Sequence, residues 1–330
     1  MCIRDSLYSG GLDSLLAARV LMDQGLSLLG LRFLLPFEPP DLDPSSTPAA
    51  LLALDMGLPL RFIRCGLDYI DMVKNPGHGY GIRVNPCIDC KIYFLRKAAE
   101  IMKSEGALFV ATGEVVGQRP MSQMKHMLNH IEKESGLKGY LLRPLSAKLL
   151  KPTVAETSGA VDRERLWGIS GRSRSVQLAL AGKYGITGYS SPAGGCLFTD
   201  APMEKRIRDL FDLCPDHTMT DFYLLTVGRH YRLSGEVKII VGRNEKENLE
   251  LRKYRDDADL YMEPAFKGPD IWVRGEPEED TLRVVLSVMS RYGVFAAGEG
   301  KVLLYRKGNP AGDALCGKPC SDRDLERMRI

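Results

Sequence analysis

Two short stretches of this 330-residue sequence combine residue types and spacings that suit chemistry. The first is Ser9-Gly10-Gly11-Leu12-Asp13-Ser14, immediately before a helical pattern. Paired glycines let the backbone approach a ligand, serine hydroxyls add donors, and a helix N-terminus presents free N–H groups, so the segment can cradle an anion. Ser9, Gly10, Gly11 and Ser14 are the candidate phosphate-binding positions. The Asp13 carboxylate would repel phosphate directly and becomes useful there through a bridging Mg2+. No Gly-Lys-Ser/Thr follows, so this is not a Walker A loop.

The second stretch is Asn85-Pro86-Cys87-Ile88-Asp89-Cys90-Lys91, which opens another helical pattern. Cys87 and Cys90 stand at i and i+3 and so share a face, and a helix N-terminus lowers a thiol pKa. A third cysteine closes Gly194-Gly195-Cys196. Three chemistries are open to such a set. Zinc wants a fourth ligand that no second C-x-x-C supplies. An iron–sulfur cluster on Cys87, Cys90 and Cys196 would leave one iron open. A dithiol can instead carry sulfur as persulfide or close a disulfide.

The elements that must position these residues alternate. Helical patterns at 12–24, 48–55 and 90–104 are interleaved with apolar, strand-like runs at 27–37, 60–65 and 107–112. Thr47-Pro48 reads as an N-cap followed by Pro at the first helical position. Before the glycine loop only residues 7–8 read as strand. Alternation at this spacing implies an α/β fold, a doubly wound parallel sheet with helices on both faces. After about residue 200 the pattern changes to helices at 203–213, 245–254 and 280–292 and strands at 237–241, 271–273 and, last, 301–305. Residues 1–200 are thus expected to form one domain and 201–330 a smaller α+β domain.

Composition bounds the rest. With 44% hydrophobic and 26% charged residues the chain is an ordinary globular protein, not collagen, coiled coil or disorder. No apolar run reaches the roughly 18 residues of a membrane span, and residues 1–6 lack a signal-like pattern, so a cytoplasmic protein with reduced thiols and no membrane partner is expected. Cys2, Cys65 and Cys214 read as small packing residues, and Cys316 and Cys320 as chance spacing. The net charge of +3 conceals an uneven spread: 6 basic and 9 acidic residues in 1–80, against 12 and 5 in 115–185. A basic middle is the footprint expected of a face that meets a polyanion.

Taken in order, the Ser-Gly-Gly-Leu-Asp-Ser loop, Asn85-Pro-Cys-Ile-Asp-Cys-Lys91, Ala111-Thr112-Gly113 after a strand, and Gly194-Gly195-Cys196-Leu197 resemble the tRNA 2-thiouridine synthase family. These are ATP-pyrophosphatases of the PP-loop (adenine nucleotide alpha hydrolase-like) fold, and the resemblance spans roughly residues 7–200. It implies ATP and Mg2+ at the loop and Gly113, with Asp13 catalytic, and Cys90 and Cys196 as the catalytic thiol pair. Cys87 is an added thiol, similar to the cluster-binding members of the wider thiolation group, and tilts the expectation towards a [4Fe-4S] cluster on Cys87, Cys90 and Cys196. The implied reaction adenylates a uridine carbonyl oxygen, after which sulfur from a persulfide carrier or sulfide displaces AMP to give thiouridine. Relatives by fold make 4-thiouridine or perform other ligations, and a non-catalytic RNA-binding metalloprotein is the alternative from another class.

On the RNA side, Arg119, Arg143, Lys148, Arg172 and Arg174 are expected phosphate contacts, by charge and by the fork of the guanidinium. In the last domain Val241-Gly-Arg243-Asn-Glu-Lys-Glu-Asn248 resembles, more loosely, the RNA-binding domain of the NFACT proteins, which adds Arg243 as an RNA contact; the partner implied by the synthase resemblance is tRNA. Trp272 reads equally as core or as a base-stacking platform.

Overall fold

The computed structural model describes residues 4–189, 196–296 and 300–330, so Gly194 and Gly195 of the Gly-Gly-Cys motif lie outside the described residues. The chain divides into two compact units, Met1–Cys196 and Leu197–Ile330.

The first unit runs β1 (Arg4–Leu7), α1 (Leu12–Met22), β2 (Leu28–Leu34), α2 (Pro48–Asp55), β3 (Leu60–Arg64), α3 (Leu67–Lys74), α4 (Cys87–Ser104), β4 (Val110–Thr112), α5 (Lys125–Glu134), β5 (Leu141–Leu142), α6 (Val154–Thr157) and α7 (Ser175–Tyr184). Its five strands are all parallel, in the order β3-β2-β1-β4-β5. The chain therefore builds outward from β1 on one side and returns to its other side. That reversal opens a crevice at the C-terminal ends of β1 and β4, where ligands of such sheets bind.

Apolar side chains cover the sheet from two directions. One cluster joins Tyr8, Leu15, Leu16 and Ala111 to Leu180 and Ala181 of α7. The other joins Leu31, Val110 and Leu141 to Leu95, Ala98 and Met102 of α4 and Ile131 of α5. In α4 the buried positions Ile92, Leu95, Ala98, Ala99 and Met102 recur every three or four residues, the stripe that makes an amphipathic helix. The α2 cap forms as the sequence implies, Thr47 Oγ1 accepting from Ala50 N at 3.3 Å with Pro48 next. The first strand differs from expectation: it is Arg4–Leu7, paired with both β2 and β4. A central strand is defined by its two ladders, and four residues are too few to show a pattern.

The second unit runs α8 (Ala201–Leu213), α9 (Met219–Leu224), β6 (Arg229–Arg232), β7 (Lys238–Val241), α10 (Glu245–Lys253), β8 (Leu260–Pro264), β9 (Ile271–Arg274), α11 (Glu279–Tyr292), β10 (Lys301–Arg306), β11 (Asn309–Leu315) and α12 (Asp322–Met328). Six strands form an antiparallel sheet in the order β11-β10-β8-β9-β7-β6. Val285, Val288 and Met289 of α11 pack on Ile239, Val241 and Met262. Tyr223, Leu224 and Leu251 pack with Ile240, Tyr261 and Trp272. Trp272 is therefore a core residue, 2% exposed, with its Nε1–H donated to Tyr254 O at 3.0 Å, and not a stacking platform. Residues 301–305 are not the last strand, since β11 pairs back on β10. Among the described residues no helix is long and apolar enough to cross a membrane.

Candidate active site

The glycine loop leaves β1 and enters α1 at the crevice. Gly10 takes φ +75°, and a Cβ there would lie 2.3 Å from that of Ala49, so the chain can pass only as glycine. Tyr8 fixes the same neighbour by donating its hydroxyl to Ala49 O at 2.7 Å. Ser14 Oγ donates to Gly11 O at 2.8 Å and accepts from Ser9 N and Ser9 Oγ at 3.3 and 3.2 Å, which knots the loop. Helix α1 has no side-chain cap, so its first N–H groups face the loop's opening, the arrangement an anion completes.

Asp13 stands in the first turn of α1. Its Oδ2 accepts from Gln118 Nε2 at 2.6 Å and faces Arg174 at 3.5 Å, and Gln177 Nε2 in turn donates to Gln118 Oε1 at 3.0 Å. Its Oδ1 is buried with no hydrogen-bond partner. A bare carboxylate oxygen out of water costs free energy unless a cation or donor meets it. Gly113 closes the far side: a Cβ there would come within 2.5 Å of the Asp13 carbonyl and 2.6 Å of Ser14 N.

The next residue, Glu114, ties this loop to the thiols. Its carboxylate takes Lys91 Nζ at 2.6 Å, Arg143 Nε at 3.1 Å and Thr112 Oγ1 at 3.4 Å. Burial pushes the carboxyl up, but the Lys91 ammonium and the Arg143 guanidinium outweigh it and hold the group down at about 2. Lys91 follows Cys90 directly in the first turns of α4. Cys90 Sγ lies 3.3 Å from the hydroxyl of Tyr69, a fully buried residue of α3 that stacks on Phe94 at 5.8 Å between centroids.

The thiol chemistry departs from expectation. Cys90 is not activated by the helix N-terminus; burial pushes its thiol up to about 12, the Tyr69 hydroxyl opposes this, and the thiols of Cys196, Cys87 and Cys65 add to the rise. Cys90 faces inward onto Tyr69, and desolvation of the charged form outweighs the helix field. Cys65 is buried at the end of β3 and likewise raised to about 12 by burial, with Asp68 and Glu38 contributing. Cys196 is exposed and Cys87 half-buried. Among the described residues no group of three or more His, Cys, Asp or Glu side chains is placed to hold a metal ion. Asp89, between the two cysteines, instead takes His78 N at 3.0 Å and His78 Nδ1 at 2.8 Å, while His78 Nε2 meets His130 Nε2 at 2.8 Å.

Tyr69→Phe should keep the ring packing and remove the O–H from the Cys90 sulfur. A hydrogen bond to a charged acceptor contributes roughly 1.5–3 kcal/mol, so alkylation of Cys90 at fixed pH should slow by about tenfold or more. Mass spectrometry of iodoacetamide-treated protein between pH 7 and 10 reads this; an unchanged rate would remove the hydroxyl from any role at the sulfur.

The basic residues separate. Arg143 is not a phosphate contact: it is 2% exposed and spends its guanidinium on Glu114, on Glu132 at 3.0 Å and on Leu128 O at 3.2 Å. Arg174 faces Asp13 at the loop. Lys148 is exposed and paired with Glu164 at 3.2 Å, and Arg119 and Arg172 are exposed. Arg243, in the second unit, is exposed and bound to Glu247. Sequence reasoning missed Glu114, Lys91, Tyr69 and Gln177. Glu114 adjoins, and Lys91 ends, a motif already singled out, which was the available signal; Tyr69 and Gln177 lie outside every motif.

Residues 228–327 match the family model described as the NFACT protein RNA binding domain. None of the curated proteins compared matches the chain. Among solved structures the chain is similar to the U34-tRNA thiolase NcsA from Methanococcus maripaludis with its [4Fe-4S] cluster, at 17% identity and TM-score 0.34 over 68% of this chain and 70% of that one. A 4-thiouridine synthetase–RNA complex with bound ATP aligns at 18% identity and TM-score 0.30 over 55% and 50%. A predicted subunit of a tRNA methyltransferase from Methanocaldococcus jannaschii aligns at 14% identity and TM-score 0.36 over 56% and 76%.

Proposed function

We propose that the chain is an ATP-dependent tRNA sulfurtransferase whose first unit is a doubly wound PP-loop domain and whose second unit binds RNA. One observation carries the reading. The dipeptide Gly113-Glu114, leaving β4, presses on the backbone of Asp13 and Ser14 with its first residue and grips Lys91, next to Cys90, with its second. An anion cradle and a thiol site are thereby held in fixed relation at one sheet edge, as activation of an oxygen followed by sulfur attack requires. The match of residues 228–327 to an RNA-binding domain model supports the choice of substrate.

Asp13 fits Mg2+: its buried Oδ1 lacks a partner, and carboxylate oxygen is a ligand that ion takes. The loop's N–H groups and the start of α1 would hold the phosphates, with Arg174 and Gln118 keeping the carboxylate aimed. In the adenylation step the uridine carbonyl oxygen displaces pyrophosphate from ATP, which turns a poor leaving group into AMP. Cys196, the exposed thiol, carries the sulfur as a persulfide, whose outer sulfur attacks the activated carbon. Cys90 then attacks the Cys196 sulfur, so that the thiocarbonyl forms, AMP departs and a Cys90–Cys196 disulfide remains for a thiol to reduce. Cys87 has no step in this scheme.

The test is direct. Purified protein given ATP, Mg2+, a persulfide donor and an unmodified tRNA transcript should release AMP and form thiouridine in equal amounts, and nucleoside mass spectrometry assigns the ring position. AMP without thiouridine would mean a different ligation on the same fold; absence of both would end the proposal.

A further inference from the structure

The second unit contains many arginines, and those surrounding its sheet are matched to carboxylates: Arg208 to Glu204, Arg232 to Asp209 and Arg274 to Asp221. Two are not. Among the described residues neither Arg206 nor Arg229 forms an ion pair with a carboxylate, and both are instead tied to backbone. Arg206 Nη1 and Nη2 donate to Leu225 O at 2.6 Å and Gly228 O at 3.4 Å, and its Nε is buried without a partner. Arg229 Nη1 donates to Gly242 O at 3.4 Å, and its guanidinium lies 4.7 Å over the ring of Tyr292. The turns they donate to are in contact: a Cβ on Gly228 would stand 2.7 Å from Val241 O. Arg243 follows Gly242 on the same turn and is exposed.

From these contacts we propose that Arg206, Arg229 and Arg243, around the Gly228 and Gly242 turns, form the surface on which the second unit receives the phosphate backbone of RNA. Deepening the reading that this unit binds RNA, the assignment rests on it. Carbonyl groups fix Arg206 but leave its charge uncompensated. Burial first, and then the charges of Arg243 and Arg329, push its guanidinium down, while Asp200 and Glu247 oppose them. Both of those carboxylates have other duties, Asp200 capping α8 through Met203 N at 2.9 Å and Glu247 binding Arg243. Within the cluster, among the described residues, only Arg243 has a carboxylate partner, Glu247, so a counter-charge for Arg206 and Arg229 is open to an anion from outside the protein. A polyanion with regularly spaced phosphates supplies it to several arginines at once, and the planar fork of Arg229, held flat by Tyr292, is the group that phosphate oxygens accept from in pairs. Arg206, whose N–H groups are taken, supplies field; Arg229 and Arg243 supply contacts.

The experiment uses the full chain and a 3′-fluorescein-labelled, unmodified tRNA transcript, with affinity read by anisotropy at several salt concentrations. Arg229→Gln with Arg243→Gln should weaken binding by about tenfold or more near 0.15 M salt and lower the salt slope by about one per arginine. The pair Arg208→Gln with Arg283→Gln, both exposed and paired within their own helices, should bind as the unaltered protein does. If loss of the Tyr292 contact unfolds the double variant, Arg243→Gln alone, an exposed side chain, should still lower the slope by about one. Unaltered affinity and slope in these variants, or an equal loss in the control pair, would overturn the surface while leaving RNA binding in place. No tRNA binding by the unaltered chain would overturn both.

Discussion

Asp13→Asn should abolish ATP cleavage while leaving the first unit folded. The carboxylate holds two relationships, and the substitution separates them. Oδ2 is satisfied by Gln118 at 2.6 Å and by Arg174 at 3.5 Å, and an amide oxygen can keep the first of these. Oδ1 is buried and meets nothing, although it sits beside an uncapped helix N-terminus where phosphate would lie. A divalent ion between that oxygen and the phosphates removes the repulsion and the desolvation cost together, and asparagine, which is neutral, cannot replace it. Removing a single preorganised electrostatic contact typically lowers turnover 10²–10³-fold, and loss of the metal should cost at least about 10³-fold, roughly 4 kcal/mol of barrier. Release of AMP and pyrophosphate from labelled ATP, titrated with Mg2+, measures it. AMP formation within tenfold of the unaltered protein would remove Asp13 from the chemistry. The Arg174 pair is partly exposed, so its loss should move the melting temperature by only a few degrees.

Local signals were legible where one residue type has one use. The loop glycines, the Thr47 cap and the amphipathic stripe of α4 all sit where their sequence places them, because each depends on neighbours within a turn or two. What the sequence hid depends on partners far along the chain. Strand β5 is two residues long and exists only because Val110 and Ala111 of β4 lie beside it. Strand β11 carries Pro310, Gly312 and Asp313 and is almost wholly exposed, so it lacks an apolar alternation; its clue was the turn, where Lys307 and Gly308 both take positive φ, the geometry of a two-residue hairpin. Charge counting placed Arg143 among the phosphate contacts, yet no local pattern distinguishes an exposed arginine from one enclosed by Glu114 and Glu132. The C-x-x-C spacing likewise gave the shared face of Cys87 and Cys90 but not what that face meets. That face meets Tyr69, eighteen residues before Cys87 and on another helix, and burial there keeps Cys90 protonated at neutral pH although the Tyr69 hydroxyl opposes it.

Glu114→Ala should be the most destabilising single change in the first unit, since two cations depend on one carboxylate. Lys91 and Arg143 both lose their partner, and Arg143, 2% exposed, cannot turn to water. Breaking a buried ion pair from one side costs about 3–5 kcal/mol, because the remaining charge is left in a poor solvent. Glu132, at 3.0 Å from Arg143 Nη1, keeps part of the compensation for that residue but none for Lys91. For a unit of this size the loss should lower the melting temperature by about 6–20 °C. The pH dependence follows from the same contacts. The Glu114 carboxyl is held at about 2 in the folded chain, below its ordinary value of 4.5, so its contribution is complete above about pH 4.5 and lost as the pH falls towards 2. Glu114→Gln keeps the shape and removes the charge, and should therefore be less stable than the unaltered protein at pH 7 and approach it as the pH falls. Thermal unfolding of the three proteins from pH 7 to pH 3 tests both statements. Curves that stay parallel across that range, or a Glu114→Ala melt within 2 °C of the unaltered one, would show that the carboxylate neither holds the two cations nor ties the thiol helix to the glycine loop.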